Sequence, residues 1–137
     1  MKLLSALKYV LVLFLFAGMG CEDVITDQTF TIGKESTFRI NQLYTSSDGQ
    51  YTFQITEILD SRCPEGVVCV WAGEVSLKGE WTANKNKTAV ELHSVMKAQE
   101  KVPDEFTFQI VDAQPYPKFD TDSKPEDLAI TLLIQKK

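Results

Sequence analysis

The chain has 137 residues, 44% of them apolar and 24% charged, with three cysteines and a single histidine. Its formal net charge of −5 argues against nucleic acid, which is bound by neutralising phosphates with Lys and Arg, and against electrostatic docking on anionic lipid. The length allows one domain with a sizeable core and excludes two.

At the amino terminus, Lys2 and Lys8 precede an uncharged apolar run from Tyr9 to Gly20, which ends in small residues directly before Cys21. This is the layout of a secretory signal peptide over residues 1–20. The run is shorter than the roughly 20 apolar residues that a bilayer core of about 30 Å requires. Ala17 to Cys21 resembles the lipobox of bacterial lipoproteins, with Gly18 where that family usually places leucine. The resemblance implies acylation of Cys21. Ordinary cleavage at Gly18-Met19-Gly20 is the alternative, and it leaves a free thiol. Parity favours the lipid, because three cysteines in an exported chain leave one to be explained. Stable anchoring takes two or more lipid chains. Losing residues 1–20 removes two lysines and no acid, so the exported part is the more acidic.

Residues 21–28 read as an acylated cysteine and an acidic tether, and Glu22 and Asp23 resemble the surface-export signal of Bacteroidota lipoproteins. From 29 to 137 a single β-domain is expected, since apolar residues recur with period two. Tyr51, Phe53 and Ile55 alternate with polar neighbours, as do Val75, Leu77, Trp81 and Ala83, then Phe106, Phe108 and Ile110, then Leu128, Ile130, Leu132 and Ile134. Weaker runs at 38–40 and 90–92 bring the count to six. Turn chemistry at 46–50 and 84–87 supplies hairpin links. The expectation is an all-β fold, an antiparallel β-sandwich or small barrel of about six to eight strands. Short helical turns are allowed near 94–100 and 123–128.

Two connections, 60–73 and 112–127, are longer than hairpins need and are where a site is expected. The first holds Cys63 and Cys69. Zinc requires four ligands, usually as close pairs, and a catalytic dithiol is normally Cys-x-x-Cys at a helix start. A disulfide staple fits the exported context and the intervening Pro64-Glu65-Gly66 turn. Such a ring should hold Trp71 against the core, the other orientation being toward a ligand. Asp60 and Arg62 are expected to pair or to hydrogen-bond the loop backbone rather than to read a substrate.

His93 is the only imidazole, and with Val90 and Leu92 inward it falls on the solvent face as an exposed strand residue. No nucleophile motif accompanies it. Asp120, Asp122, Glu126 and Asp127 crowd the proline-rich loop, without the spacing of a calcium loop.

The string Asp60-Ser61-Arg62-Cys63-Pro64, a short spacer and Cys69-Val70-Trp71-Ala72-Gly73 resembles the signature of a family of small uncharacterised bacterial secreted proteins and lipoproteins. Pro115-Tyr116-Pro117 and residues 124–134 resemble that family's closing loop and last strand. The likeness spans roughly residues 30–134 and brings no reaction or ligand with it.

The expected function is therefore a non-catalytic β-domain of the cell envelope, anchored in the outer membrane by lipid and binding a protein or small ligand. The candidate surface is Arg62, Glu65, Trp71, Tyr116 and Phe119, where the two aromatics of the second loop serve as anchors or cover the open end of the sandwich. No cofactor or metal is expected. The alternatives are an envelope glycan hydrolase using paired carboxylates and a protease inhibitor presenting the 63–69 ring.

Overall fold

The computed structural model describes residues 28–97, 100–121 and 124–137. The expected signal peptide, Cys21, the tether up to residue 27 and Asp122 lie outside the described residues. Among the described residues eight strands form: β1 (Thr29–Phe30), β2 (Glu35–Phe38), β3 (Leu43–Ser46), β4 (Tyr51–Asp60), β5 (Val75–Ala83), β6 (Asn86–His93), β7 (Phe106–Gln114) and β8 (Ala129–Lys136). A 3-10 turn at Pro125–Asp127 precedes β8.

The fold is all-β, and of the two architectures open to the sequence it is the sandwich. One sheet has five strands in the order β1-β3-β4-β5-β6, the other three in the order β2-β8-β7. Every pairing is antiparallel except β1 with β3. Alternation decides the inner faces. Phe53, Ile55, Val75, Leu77, Trp81, Val90 and Leu92 of the larger sheet are buried against Phe106, Phe108, Ile110, Ile130, Leu132 and Ile134 of the smaller.

Trp81 is the hub of that core. Its ring lies 5.1 Å from Tyr51, 4.9 Å from Phe106 and 5.3 Å from Phe108, centroid to centroid, so it joins both sheets through stacked, tilted and edge-on aromatic pairs. Gly79, two residues before it on the same face, leaves room for the Phe53 ring; a Cβ there would press on that ring and on the Gln54 carbonyl.

A β-bulge interrupts β4 between Ile55 and Glu57 and another interrupts β7 between Ile110 and Asp112. Each extra residue shifts the inward phase by one. Ile58 and Ala113 are therefore buried beyond the bulges, whereas Leu59 and Val111 face water.

The two ends of the sandwich differ. At one end β3–β4 and β5–β6 close as hairpins, the second through Asn84 and Lys85, both at positive φ, as a two-residue turn that follows the strand twist requires. At the other end the β4–β5 and β7–β8 connections lie side by side, joined by a parallel bridge between Glu65 and Lys118. The chain leaving β6 turns there too, then runs back beside β6 where Lys101 bridges Glu91.

Candidate functional site at the loop end

The β4–β5 connection begins as a continuation of its hairpin. The Ser61 amide donates to the Glu74 carbonyl at 2.9 Å and the Cys63 amide to the Ala72 carbonyl at 2.8 Å. Gly73 makes that stem possible: it sits at φ +71°, and a Cβ would collide with the Ser61 carbonyl. At the tip, Cys63 and Cys69 form a disulfide with Cα atoms 5.9 Å apart, so the ring expected from the sequence is present.

Arg62 ties this ring to the second loop. Its Nε and Nη2 donate to the two Asp60 carboxylate oxygens at 2.8 and 2.6 Å. Its Nη1 donates to the Ala113 carbonyl at 2.7 Å and Nη2 also to the Pro115 carbonyl at 3.0 Å. Tyr116 lies beneath the guanidinium, 4.7 Å from ring centroid to Cζ. A bidentate pair held this way is both strong and geometrically selective. With its side chain 13% exposed and its donors engaged, Arg62 is a brace for the loop rather than a group free to meet a ligand.

Glu65 is exposed, and its backbone joins the loops: its amide donates to the Pro117 carbonyl at 2.9 Å and its carbonyl accepts from the Phe119 amide at 3.3 Å. Between them lies an open groove of about 380 Å³, lined by Glu65, Gly66, Lys118, Phe119, Asp120 and Thr121.

Trp71 departs from its expected place. It is 56% exposed, not packed on the core. The tryptophan in the core is Trp81, whereas Trp71 precedes Ala72 on the loop stem. Val68 and Val70 are fully exposed on either side of Cys69, Phe119 is 70% exposed, and Tyr116 is partly exposed. Val68 lies within the ring that the inhibitor alternative would present, whereas Val70 is not among the candidate surface residues read from the sequence; both stand within or beside a closed ring too short to fold back on the core.

His93 departs as well. Strand alternation puts it on the outer face with Ser76 and Leu59, as expected, yet it is only 7% exposed. The turn after β6 covers it. Glu74, 4% exposed, holds that turn by accepting from the Val95 and Met96 amides at 3.1 and 3.0 Å. The other Glu74 oxygen lies 3.0 Å from His93 Nδ1. Burial alone would raise the Glu74 pKa; the Met96 amide, the His93 ring and the Val95 amide outweigh it and hold the carboxyl below the usual range. Glu74 was not foreseen. Its position beside the strand end that carries His93 is the signal that the β5–β6 register reveals.

Of the acids of the proline-rich loop, the described ones, Asp120, Glu126 and Asp127, are not drawn into one site. Glu126 and Asp127 lie exposed in the 3-10 turn, with Asp127 accepting from the Lys124 amide at 3.4 Å, while Asp120 lines the loop groove. Among the described residues no three His, Cys, Asp or Glu side chains gather as metal ligands.

Comparison of the chain with protein-family models, curated proteins and solved structures finds no match to any of them.

Proposed function

We propose that the protein is a non-catalytic binding module of the cell envelope, lipid-anchored through Cys21, that engages a partner with the loop end of its sandwich. One observation carries this reading: Val68, Val70, Trp71 and Phe119 are held out to water on loops fixed by the disulfide, the Arg62 brace and the Glu65 backbone bonds. Apolar side chains exposed together on a braced scaffold mark an interaction site, and fixing them beforehand lowers the entropic cost of binding.

Photo-crosslinking residues placed singly at Val68, Trp71, Phe119 and, as control, Lys85 test it in intact cells. Discrete adducts are expected from the first three and not from Lys85, which lies at the hairpin end. Equal labelling from both ends, or none from the loop end, contradicts the reading. Lipidation is tested separately, by the mass of the amino-terminal peptide beginning at Cys21.

The full exposure of Val68 within a disulfide ring favours one second reading, a protease inhibitor that offers this ring to an apolar cleft. Saturating inhibition of a serine protease at micromolar protein, lost in Val68→Asp, is the outcome that would select it.

A further inference from the structure

The outer face of the five-stranded sheet carries a second, separate feature. A pocket of about 190 Å³ opens there, lined by Glu57, Leu59, Ser76, Lys78, Glu91 and His93. These residues belong to adjacent rows of β4, β5 and β6, in which Leu59 faces Ser76 and Ser76 faces His93, while Glu57 faces Lys78 and Lys78 faces Glu91.

The imidazole in this pocket is prepared on one side and unsatisfied on the other. Glu74 takes Nδ1 at 3.0 Å, so a neutral ring carries its proton there and turns a lone pair outward from Nε2. That nitrogen is buried and has no hydrogen-bond partner. An orphaned buried acceptor is destabilising, and a ligand able to donate to it would recover that loss. The nearest acid is Glu91, whose Oε1 lies 3.9 Å from Nε2 and whose side chain is 29% exposed. A rotation of this partly exposed side chain would open a path to the ring.

Charge and spacing define the ligand. Glu57 pairs with Lys78 at 3.2 Å and Glu91 with Lys101 at 3.5 Å, and Glu74 adds a third carboxylate against these two ammonium groups. Glu100, whose carboxylate lies 3.5 Å from the His93 amide, is paired with Lys97 at 3.0 Å. One negative charge is left over, which suits a single cationic group. Zinc, bound at about 2.0–2.2 Å, would bring tetrahedral donors to about 3.3 Å apart, and its sites normally use at least three protein ligands. A hydrogen-bonding cation reaches about 2.8 Å to each acceptor and spans the observed 3.9 Å. Beside the acceptors, Leu59, 61% exposed, and the methylene stem of Lys78 offer an aliphatic wall.

The geometry points to a binding site for a primary alkylammonium group, whose N–H bonds bridge His93 Nε2 and the Glu91 carboxylate while its carbon chain lies along Leu59. A free amine and a lysine side chain of another protein share this chemistry. The site lies on the outer face of the larger sheet, at the same end as the loops, and shares no lining residue with the loop groove.

The test is an amide-resolved NMR titration of the full domain at about pH 8, above the ordinary imidazole range, with n-butylammonium chloride. Saturable shifts confined to residues 57–59, 76–78 and 91–93 are expected, with a dissociation constant in the millimolar range, on the order of 4 kcal/mol. Glu91→Gln, a change at a partly exposed position, is expected to weaken binding about tenfold or more. His93→Gln should abolish the effect if folded, and Glu91→Gln keeps the test open if it is not. Tighter binding of Nα-acetyl-lysine methylamide than of n-butylammonium assigns the site to a protein lysine, and weaker binding assigns it to a free amine. The proposal is overturned by no saturable shift, by equal shifts from n-butanol or tetramethylammonium, or by an unchanged constant in Glu91→Gln. Micromolar zinc binding through His93 without an ammonium response overturns it equally.

Discussion

Glu74 and His93 show how a pair of titratable side chains survives burial beneath a turn. One carboxylate oxygen is satisfied by two amides of the turn that buries it and the other by an imidazole N–H, so burial and hydrogen bonding form together. Replacing Glu74 by Gln should cost about 1–3 kcal/mol at neutral pH. The pH dependence has a definite sign. The folded carboxyl titrates below its ordinary value of 4.5, so its stabilisation is complete above that value and is lost as pH falls through the folded pKa. Denaturant midpoints of the wild type and Glu74→Gln should therefore draw together as the pH falls below about 4.5. A gap that widened on acidification would contradict the assignment. Neither residue's burial was legible in the sequence, because alternation assigns a face and not a cover. The same limit misplaced Trp71: period two registers Trp81 inward, but nothing periodic governs a tryptophan on a loop stem.

At the scale of elements, alternation was a sufficient guide wherever a strand was long and half buried. The runs beginning at Tyr51, Val75, Phe106 and Leu128 became β4, β5, β7 and β8 in the expected register. Strand β1 escaped notice because two residues are too few to display a period, and β3 because its apolar Leu43 faces water while its polar Ser46 is buried. The bulges in β4 and β7 were hidden for a related reason, since a phase slip looks like the end of a strand. The β4–β5 connection is the element on which the proposed function rests, and it has two independent supports. The ring closed by Cys63 and Cys69 is short, so in the chain-entropy model it stabilises by only about 2 kcal/mol. Arg62 joins the same loop to Ala113 and Pro115 without sulfur. The Cys63→Ser/Cys69→Ser double variant should thus lose about 2 kcal/mol in chemical denaturation and keep its β-sheet circular dichroism. If reduction unfolded the domain outright, the stem and the Arg62 brace would be supporting far less than their geometry implies.

The whole molecule has a plain end and an elaborate one, and the distinction has thermodynamic content. Two-residue and similarly short turns close the strands at the hairpin end. At the other end roughly a dozen residues per loop leave the sheets, an arrangement that ordinarily exchanges with local unfolding. Here the loops are cross-joined: the Cys63 amide is bonded to Ala72, the Glu65 amide to Pro117 and the Phe119 amide to Glu65. If these bonds make the loop end part of the cooperative unit, the amides of Cys63 and Glu65 exchange with solvent at least about 100-fold more slowly than that of Val68, a difference of roughly 3 kcal/mol in opening free energy. Hydrogen exchange resolved by residue reads this directly, and Arg62→Ala should erase much of the protection at Glu65 while leaving β4 and β5 slow. Should Glu65 exchange as fast as Val68 in the wild type, the exposed valines and aromatics would be carried on a loosely ordered segment. Binding there would then bear the full cost of ordering the chain, and the physical reason for expecting recognition at this end of the sandwich would be gone.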